Sequence, residues 1–373
     1  MIYLDYSANT PADKRVIDSF VNTEKNYTAN PNSNHKAGLE AANKMAETID
    51  ATAKLLNINP GEIIYTSGAS ESNNTAIKGI ARMARRRGKH IISTPLEHSS
   101  VSGCLTFLQE AGYEIDLLHI GRDGKADTDE LKSLIRNDTV LVAVTAVDSE
   151  LGTIQPIKEI SEILKSFPEC RFHTDATQAI GKIPFDFGLC DTASFAPHKF
   201  YGLNGCGALI KKNRVSLEPL IHGGASTTPY RSGTPALSLA VSMLSALEIA
   251  YAQQEERYNK VKLLNADLRN FFNDYPQVRI NTPSDSVPHI LNISVNNIKA
   301  TVFQQMLSEK GVCVSVKSAC SADGMPSRAV YAVSLDRKNA LSSFRISLSH
   351  LTTNEEIENF KEIFDNLIKN NLR

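Results

Sequence analysis

A lysine and a histidine stand side by side in residues 195–202, which read FAPHKFYG. A lysine held in a polar cleft is what an aldehyde cofactor needs in order to form a Schiff base, and Lys199 lies in a loop with a glycine close behind it. A His-Lys pair by itself lies on the protein surface more often than in a catalytic site. The interpretation of Lys199 therefore depends on the residues that accompany it.

An acidic residue, Asp175, stands where a predicted strand ends, in residues 173–178, which read HTDATQ. A carboxylate at this place can pair with a protonated pyridine nitrogen and keep the ring an electron sink for a carbanion at the substrate α-carbon. An aspartate that simply caps the following helix is the commoner alternative.

Residues 66–73, which read TSGASESN, run from a strand through a glycine turn into a helix N-terminus rich in hydroxyl groups. Free N–H groups and the helix dipole make such a turn suitable for binding a phosphate. Ordinary capping by Ser67 or Ser70 explains the same letters.

His98 follows another strand end, in residues 95–98, which read PLEH. An imidazole there can stack on a flat heteroaromatic ring and assist proton transfer, although a lone histidine is more often structural. A phosphate site, a ring-stacking histidine, an acid for a pyridine nitrogen and a lysine thus follow successive strands. Together they are the parts of one pyridoxal 5'-phosphate (PLP) site.

The elements that must position these side chains alternate between strands and helices. The expected strands are 63–66, 90–93, 114–118, 140–144, 171–174, 192–195 and 207–210, with helices such as 41–55, 70–85 and 157–165 between them. This alternation predicts a mostly parallel, covered sheet that binds its ligand at the carboxyl ends of the strands.

A long helical pattern, residues 236–273, follows a stretch rich in glycine and proline. Because 373 residues suit about two domains, we place a domain boundary inside this helix. The large α/β domain is expected at 15–249, and a smaller α+β domain at 250–373 together with residues 1–14. The expected elements of the smaller domain are strands 290–295, 312–316 and 344–348, helix 301–310 and a closing helix that begins near residue 353.

The overall charge excludes some classes of partner. The chain has 40 Lys and Arg against 41 Asp and Glu, so no basic field favours nucleic acid or an anionic membrane. A small-molecule substrate or a protein partner is expected. We find no signal-peptide pattern at the start and no apolar run near 18 residues, which predicts a soluble, unprocessed, cytoplasmic protein.

The six cysteines are scattered, without a CxxC pair or a metal-ligand spacing. Cys320 lies among small, polar and glycine residues in 316–327, VKSACSADGMPS, which favours a loop tip and an accessible thiolate nucleophile. Buried, inert thiols are expected for the other cysteines, namely Cys104, Cys170, Cys190, Cys206 and Cys313.

These motifs and several others occur in an order that resembles the cysteine desulfurases. The matching segments are YLD (3–5), TSGASESNN (66–74), EH (97–98), ELGTIQPI (150–157), DATQ (175–178), HKFYG (198–202), RSGT (231–234) and SACS (318–321). The resemblance is to class V of the fold-type I PLP enzymes and, through the SACS loop, to the branch that includes NifS and IscS. It implies a large domain with a mostly parallel seven-stranded sheet between helices, plus a smaller α+β domain.

The resemblance implies roles toward the cofactor ring. Lys199 would hold PLP as a Schiff base, Asp175 would face the pyridine nitrogen and His98 would stack on the ring. Gln178 would reach the phenolic oxygen, close to Ser149.

The resemblance also implies a phosphate site and a second subunit. The phosphate would be bound by the Ala69–Ser70 turn, by His198, and by Thr234 reaching over from the other subunit of a homodimer. No metal is implied.

For the substrate, L-cysteine, the resemblance implies that Cys320 attacks its sulfur, takes a persulfide and releases alanine. Arg345 would bind the substrate carboxylate, a task that suits its planar fork, whereas a solvent-facing strand arginine is the plain alternative. The sulfur acceptor would be a protein, such as an iron-sulfur scaffold or a tRNA-thiolation factor.

The sequence departs from the family pattern near the cofactor. Asp148-Ser149 replaces a usual Asn-Asn, Ala196 replaces a phosphate-binding serine, and Tyr6-Ser7 replaces a typical Asn-Ala. A lost hydrogen bond to a charged phosphate costs about 1.5–3 kcal/mol, roughly ten- to a hundredfold in affinity. Alternatives are a selenocysteine lyase or another class V lyase or aminotransferase, and, from another class, a non-catalytic scaffold.

Overall fold

The computed structural model describes residues 1–316 and 325–371, except for the side chain of residue 371. The strands are β1 Ile2–Tyr3, β2 Ile63–Thr66, β3 His90–Ser93, β4 Glu114–Leu117, β5 Thr139–Ala143, β6 Arg171–Asp175, β7 Thr192–Phe195, β8 Gly207–Lys211, β9 Val278–Ile280, β10 Ile290–Val295, β11 Val312–Cys313 and β12 Ser343–Ser347.

Helices fill most of the remaining chain. They are α1 Lys14–Asn26, α2 Lys36–Leu56, α3 Ala69–Ala84, α4 Ser99–Glu110, α5 Thr128–Leu134, α6 Ile157–Leu164, α7 Leu237–Ala252, α8 Gln254–Asn273, α9 Ala300–Glu309, α10 Arg328–Ser334, α11 Arg337–Leu341 and α12 Asn354–Asn371. In the described part of the chain, none of them is long and apolar enough to cross a membrane.

A seven-stranded sheet has the order β2-β8-β7-β6-β5-β3-β4. All neighbouring strands in it are parallel except β8, which runs antiparallel to both β2 and β7. Strands β5, β7 and β8 are buried along their whole length, as expected of a sheet covered on both faces. The predicted mostly parallel seven-stranded sheet is confirmed.

The parallel strands bring their carboxyl ends to one edge of this sheet. The segments that follow β3, β5, β6 and β7 carry the candidate residues His98, Ser149, Gln178 and Lys199. Each side chain is therefore held close to the end of a buried strand and not on a long free loop.

A second region is built from an antiparallel sheet of order β12-β10-β9 and from the parallel pair β1-β11. Phenylalanines of α8, α9 and α12 pack its core, and Leu4 from the N-terminal segment belongs to the same core. The N-terminus thus pairs with the C-terminal part of the chain. The division into 15–249 and 250–373 with 1–14 is a prediction.

Two expected elements differ in extent. The helical pattern of 236–273 forms two helices, α7 and α8, which meet at Gln253, whose backbone (φ −112°, ψ 9°) leaves the helical region. The expected strand 312–316 forms a ladder only at Val312–Cys313, because Ser315 instead makes an isolated bridge with Arg345.

Candidate active site

A cavity of about 410 Å³ opens at the carboxyl edge of the large sheet. Most of the residues predicted for the site line it, namely Ala69, Ser70, His98, Ser149, Asp175, Gln178, His198, Lys199 and Arg345. Residues from distant parts of the sequence thus converge as the sequence predicted.

Lys199 ends a short 3-10 turn that follows β7. Its Nζ donates hydrogen bonds to the backbone oxygens of Ser7 (2.9 Å) and Ala8 (2.6 Å). The next residue but one, Tyr201, has a left-handed backbone (φ 71°), a conformation that costs a non-glycine residue about 1–2 kcal/mol. Thr10 offsets this cost because its Oγ1 accepts a hydrogen bond from the Tyr201 N–H at 2.7 Å. The N-terminal segment therefore fixes the lysine and its turn together.

Asp175 is held by donors on both carboxylate oxygens. The Thr177 N–H donates to Oδ1 (3.0 Å) and the Asn73 side-chain amide donates to Oδ2 (2.8 Å). The same Asn73 amide donates to Ser100 Oγ, and its Oδ1 lies 2.9 Å from Nε2 of His173. The helix-capping alternative for Asp175 is wrong, because residues 177–182 form turns and not a helix, and its carboxylate lines the cavity.

His98 is the N-cap of α4, and its Nδ1 accepts a hydrogen bond from the Ser100 N–H (3.2 Å). Burial lowers the pKa of His98, so its ring is neutral at physiological pH. A neutral ring lying on the cavity wall can stack on a flat ligand.

The N-terminal turn of α3 forms one end of the cavity. Gly68 precedes the helix, and the first N–H groups of a helix have no carbonyl partner within it. A side chain on Gly207 would place its Cβ 2.6 Å from the Gly68 carbonyl carbon, so strand β8 passes close behind the turn. Thr66 Oγ1 lies 2.8 Å from Ser72 Oγ and supports the turn from inside. The result is a firm turn with outward N–H groups, suited to an anion.

His198 adds an unsatisfied donor or acceptor to this cavity. Its Nδ1 is buried without a hydrogen-bond partner among the described residues. Burial lowers the pKa of His198 to about 4, and the charges of Lys199 and Lys182 add to the effect. A neutral imidazole with an unsatisfied nitrogen is a ready partner for an oxygen of a ligand.

Gln178 has both ends of its amide in use. Its Nε2 donates to the Ser7 backbone oxygen (3.0 Å), and its Oε1 accepts from Lys182 Nζ (2.5 Å). Burial lowers the pKa of Lys182 to about 7, with the charges of Lys199 and Arg345 as further causes.

Arg345 is only 2% exposed, although it comes from strand β12 of the second region. It donates to the Ser149 backbone oxygen (2.7 Å) and to Oδ1 of Asp5 (2.9 Å), while its Nε is buried without a partner in the described residues. The alternative of a solvent-facing strand arginine is wrong, because the residue is buried at the cavity. A charged fork with an unused donor suits a carboxylate.

Two buried carboxyl groups lie beneath the cavity. Burial raises the pKa of Glu97 to about 8, and the nearby carboxylates of Asp175 and Asp148 add to the rise. Burial also raises the pKa of Asp148 to about 7, with the charge of Glu150 as a second cause. Both groups carry a proton in a substantial fraction of molecules at neutral pH.

The departures from the family pattern have distinct positions. Asp148 does not line the cavity, and its Oδ1 accepts from the N–H groups of Glu150 and Leu151, so it mainly holds its own loop. Ala196 is fully buried and does not line the cavity either. Ser7 does line it, with a buried Oγ that has no partner among the described residues.

Two predicted site residues are not among those that line the cavity. Thr234 is exposed on the segment before α7. Cys320 lies outside the described residues, so its position stays a prediction.

The other cysteines largely match expectation. Cys104, Cys170, Cys190 and Cys206 are buried, and burial raises the pKa of each thiol to about 11 or 12. Cys313 is partly exposed in β11, which contradicts the expectation of a buried thiol, because within the described residues that strand pairs on one side alone, with β1.

Sequence reasoning missed four contributors to the site, namely Ser7, Asn73, Glu97 and Lys182. Asn73 and Glu97 stand inside motifs that were recognised, but a polar residue in a helical or loop pattern reads as exposed. No local signal indicates that Lys182 is buried or that Ser7 meets Lys199, because both depend on long-range contacts. No group of metal-ligating side chains is found in the described parts of the chain.

The fold and the cavity define a fold-type I PLP enzyme. The model of the family described as "Aminotransferase class-V" matches residues 2–360, and the chain belongs to this family.

The relatives are similar over nearly the whole chain. The protein named cysteine desulfurase IscS of Glaesserella parasuis serovar 5 is 39% identical over 373 residues, 97% of this chain and 91% of that one. A solved structure of a NifS-like protein has a TM-score of 0.93 at 34% identity and 99% coverage of both chains. A structure described as SspA in complex with cysteine has a TM-score of 0.81 at 31% identity, covering 95% of this chain and 100% of the other.

Proposed function

We propose that this chain is a PLP-dependent cysteine desulfurase that converts L-cysteine to L-alanine and carries the sulfur as a persulfide on Cys320. The observation that supports it most is the convergence of Lys199, Asp175 and His98 on one cavity, beside the N-terminal turn of α3. Relatives named cysteine desulfurase cover nearly the whole chain.

The residues present fit the cofactor. The cavity offers a lysine, an oriented carboxylate, a neutral imidazole and outward helix N–H groups, and His198 Nδ1 is a buried polar atom still without a partner in the described part of the chain. When bound, PLP supplies an electron sink for charge that develops at the substrate α-carbon. Lys199 would hold it, Asp175 would face its pyridine nitrogen, and the Ala69–Ser70 turn with His198 would bind its phosphate.

The remaining contacts support the other proposed roles. Gln178 and Ser149 would approach the phenolic oxygen, and His98 would cover the ring. Arg345, with its unused Nε, would bind the substrate carboxylate and so orient the cysteine. The Lys199 amine would also move a proton at the substrate α-carbon.

The Cys320 thiolate would then attack the substrate sulfur. The new sulfur–sulfur bond forms as the carbon–sulfur bond breaks, the electron pair and a proton remain on the carbon skeleton, and alanine is released. A protein acceptor would take the sulfur from Cys320.

The experiment is to incubate the protein with PLP and L-cysteine and to measure alanine and protein-bound persulfide. Wild-type protein should make both, and Cys320→Ala should lose persulfide transfer, while the control Cys313→Ala should keep it. A Cys320→Ala protein that makes both products at the normal rate contradicts the mechanism. Selenocysteine in a parallel reaction separates desulfuration from selenocysteine lysis.

We also propose a homodimer in which Thr234 completes the phosphate site of the second subunit. Its support is the exposure of Thr234 away from the cavity of its own chain. Sedimentation should give twice the chain mass, and Thr234→Val should weaken PLP binding about tenfold. Unchanged affinity in that variant argues against the role.

A further inference from the structure

Lys182 is a buried lysine that lies behind the cavity wall. Its side chain is only 7% exposed, and it contributes to a small second cavity that Lys199 also lines. In the described part of the chain its Nζ makes no ion pair and instead donates to Gln178 Oε1 at 2.5 Å. A buried amine directed at one amide oxygen is an unusual use of a lysine.

The surroundings of Lys182 are basic. Lys199 and Arg345 oppose its charge, and it in turn acts on the imidazoles of His198 and His289. A buried amine among these charged groups destabilises the fold, so a hydrophobic residue of similar length at position 182 would be less destabilising. The contact with Gln178 is the feature that a hydrophobic residue could not reproduce.

Gln178 can present either end of its amide to the cavity, and the two ends have opposite chemistry. The oxygen only accepts hydrogen bonds and the nitrogen only donates them. Lys182 occupies the oxygen, and the Ser7 backbone oxygen accepts one N–H. The second N–H is therefore left for the cavity, which Gln178 lines.

We propose that Lys182 is a positioning residue that fixes the Gln178 amide with its N–H toward the phenolic oxygen of the bound cofactor. The inference rests on the proposed binding of PLP. Lys182 itself does not touch the cofactor and acts through Gln178.

A donor on the phenolic oxygen stabilises the form of the Lys199-linked cofactor that has lost its imine proton. Losing the donor should therefore raise the pH midpoint of the visible absorption band and weaken PLP binding. A merely structural role of Lys182 would lower affinity or melting temperature without moving the midpoint.

The test is a double-mutant cycle on the reconstituted full-length protein. Wild type, Lys182→Met, Gln178→Ala and the double variant are titrated with PLP, and the absorption band of each is followed from pH 6 to 10. Lys182→Met should weaken PLP binding about fivefold or more and raise the midpoint by about half a pH unit. In the Gln178→Ala background the same change should have no further effect.

The cycle also separates orientation from charge. An equal shift of the pH midpoint in the wild-type and Gln178→Ala backgrounds would mean that Lys182 acts only through its charge. No shift of the midpoint in either background would mean that Lys182 does not act on the cofactor. Both results overturn the inference. Lys182→Arg, which keeps a donor, should restore the wild-type midpoint. If the Met variant does not fold, Lys182→Leu, which also lacks a donor, takes its place in the cycle. A wild-type protein without any absorption band would instead refute PLP binding itself.

Discussion

Two clusters of buried ionisable groups lie around the cavity and differ in how they are satisfied. The acidic cluster comprises Glu97, Asp148 and Asp175, which follow or end strands β3, β5 and β6. Its members accept hydrogen bonds from N–H groups of their own loops or neighbours, as Glu97 does from Thr145 at 2.9 Å. Among the described residues, however, Asp148 Oδ2 is buried without a hydrogen-bond partner.

The basic cluster comprises Lys182, His198, Lys199 and His289. Lys199 Nζ donates to two backbone oxygens and Lys182 Nζ donates to the amide oxygen of Gln178. Both histidines keep a buried Nδ1 without a partner among the described residues. The comparison indicates that Glu97 and Asp148, which do not line the cavity, serve the scaffold, whereas Asp175 lines the cavity and the basic cluster is arranged for an anionic ligand. Burial raises the pKa of Glu97 and of Asp148, and it lowers the pKa values of Lys182, His198 and His289.

The largest expected effect is the loss of the amine that defines the basic cluster. Lys199→Ala should abolish the visible band and lower the rate of alanine formation about a thousandfold or more, because both the covalent anchor and the proton-transfer group are gone. The exposed Lys158→Ala serves as control. Substantial activity in Lys199→Ala would remove the basis for the comparison.

Arg345 bridges the regions, so its replacement tests whether its charge serves the substrate or the scaffold. Arg345→Lys should raise KM for cysteine about tenfold or more and change kcat less, because the ammonium cannot replace the planar fork. Asp5→Asn removes the ion pair while keeping the fork. An equal rise in KM for both variants would assign Arg345 to the scaffold.

The acidic cluster should make the stability of the fold depend on pH. The folded-state pKa of Glu97 is raised from 4.5 to about 8, so its favourable contribution is present below about pH 4.5 and is lost as the pH rises through 8. Glu97→Gln keeps an oxygen for the same donors. As the pH rises from 5 to 9, the free energy of unfolding of Glu97→Gln should increase relative to that of wild type by on the order of a few kcal/mol. Urea unfolding without added PLP measures this difference.

The exposed Glu110→Gln is the matched control and should show no such gain. A constant difference between Glu97→Gln and wild type across this range would place the Glu97 charge in contact with water.

Replacing Lys182 should make the stability relative to wild type change with pH in the opposite direction. Its pKa is lowered from 10.5 to about 7, so its favourable contribution is present above pH 10.5 and is lost as the pH falls through 7. Lys182→Met should therefore gain stability relative to wild type as the pH falls from 10 to 6. The net gain should be smaller than for Glu97→Gln, since the contact with Gln178 is lost at about 1 kcal/mol. If the stability of Glu97→Gln and that of Lys182→Met, each relative to wild type, changed with pH in the same direction, the distinction between the two clusters would be wrong.

Periodicity was sufficient for the large sheet, because its buried strands are short apolar runs bounded by helices. The strands at 63–66, 90–93 and 192–195 have the predicted bounds, and the motifs at their ends identify the cavity. The break at Gln253 escaped prediction because no glycine or proline marks it.

The buried partners of the site escaped prediction for a different reason. Lys182 and Ser7 are polar residues that belong to no hydrophobic periodicity in the sequence. Their burial follows from contacts with residues far along the chain. Local pattern therefore identified the groups that face the ligand, and tertiary packing decided which groups support them.

The pairing of β1 with β11 has a consequence for the order of folding. Ser7 and Ala8 contact Lys199, but β1 needs Val312–Cys313 as its partner strand, and the Ser7 N–H donates to Ser347 Oγ. The paired residues are separated by more than 300 positions along the chain, which makes this a slow, long-range closure. The Lys199 amine therefore acquires its contacts with Ser7 and Ala8 late in folding, after residues 312–347 have been made.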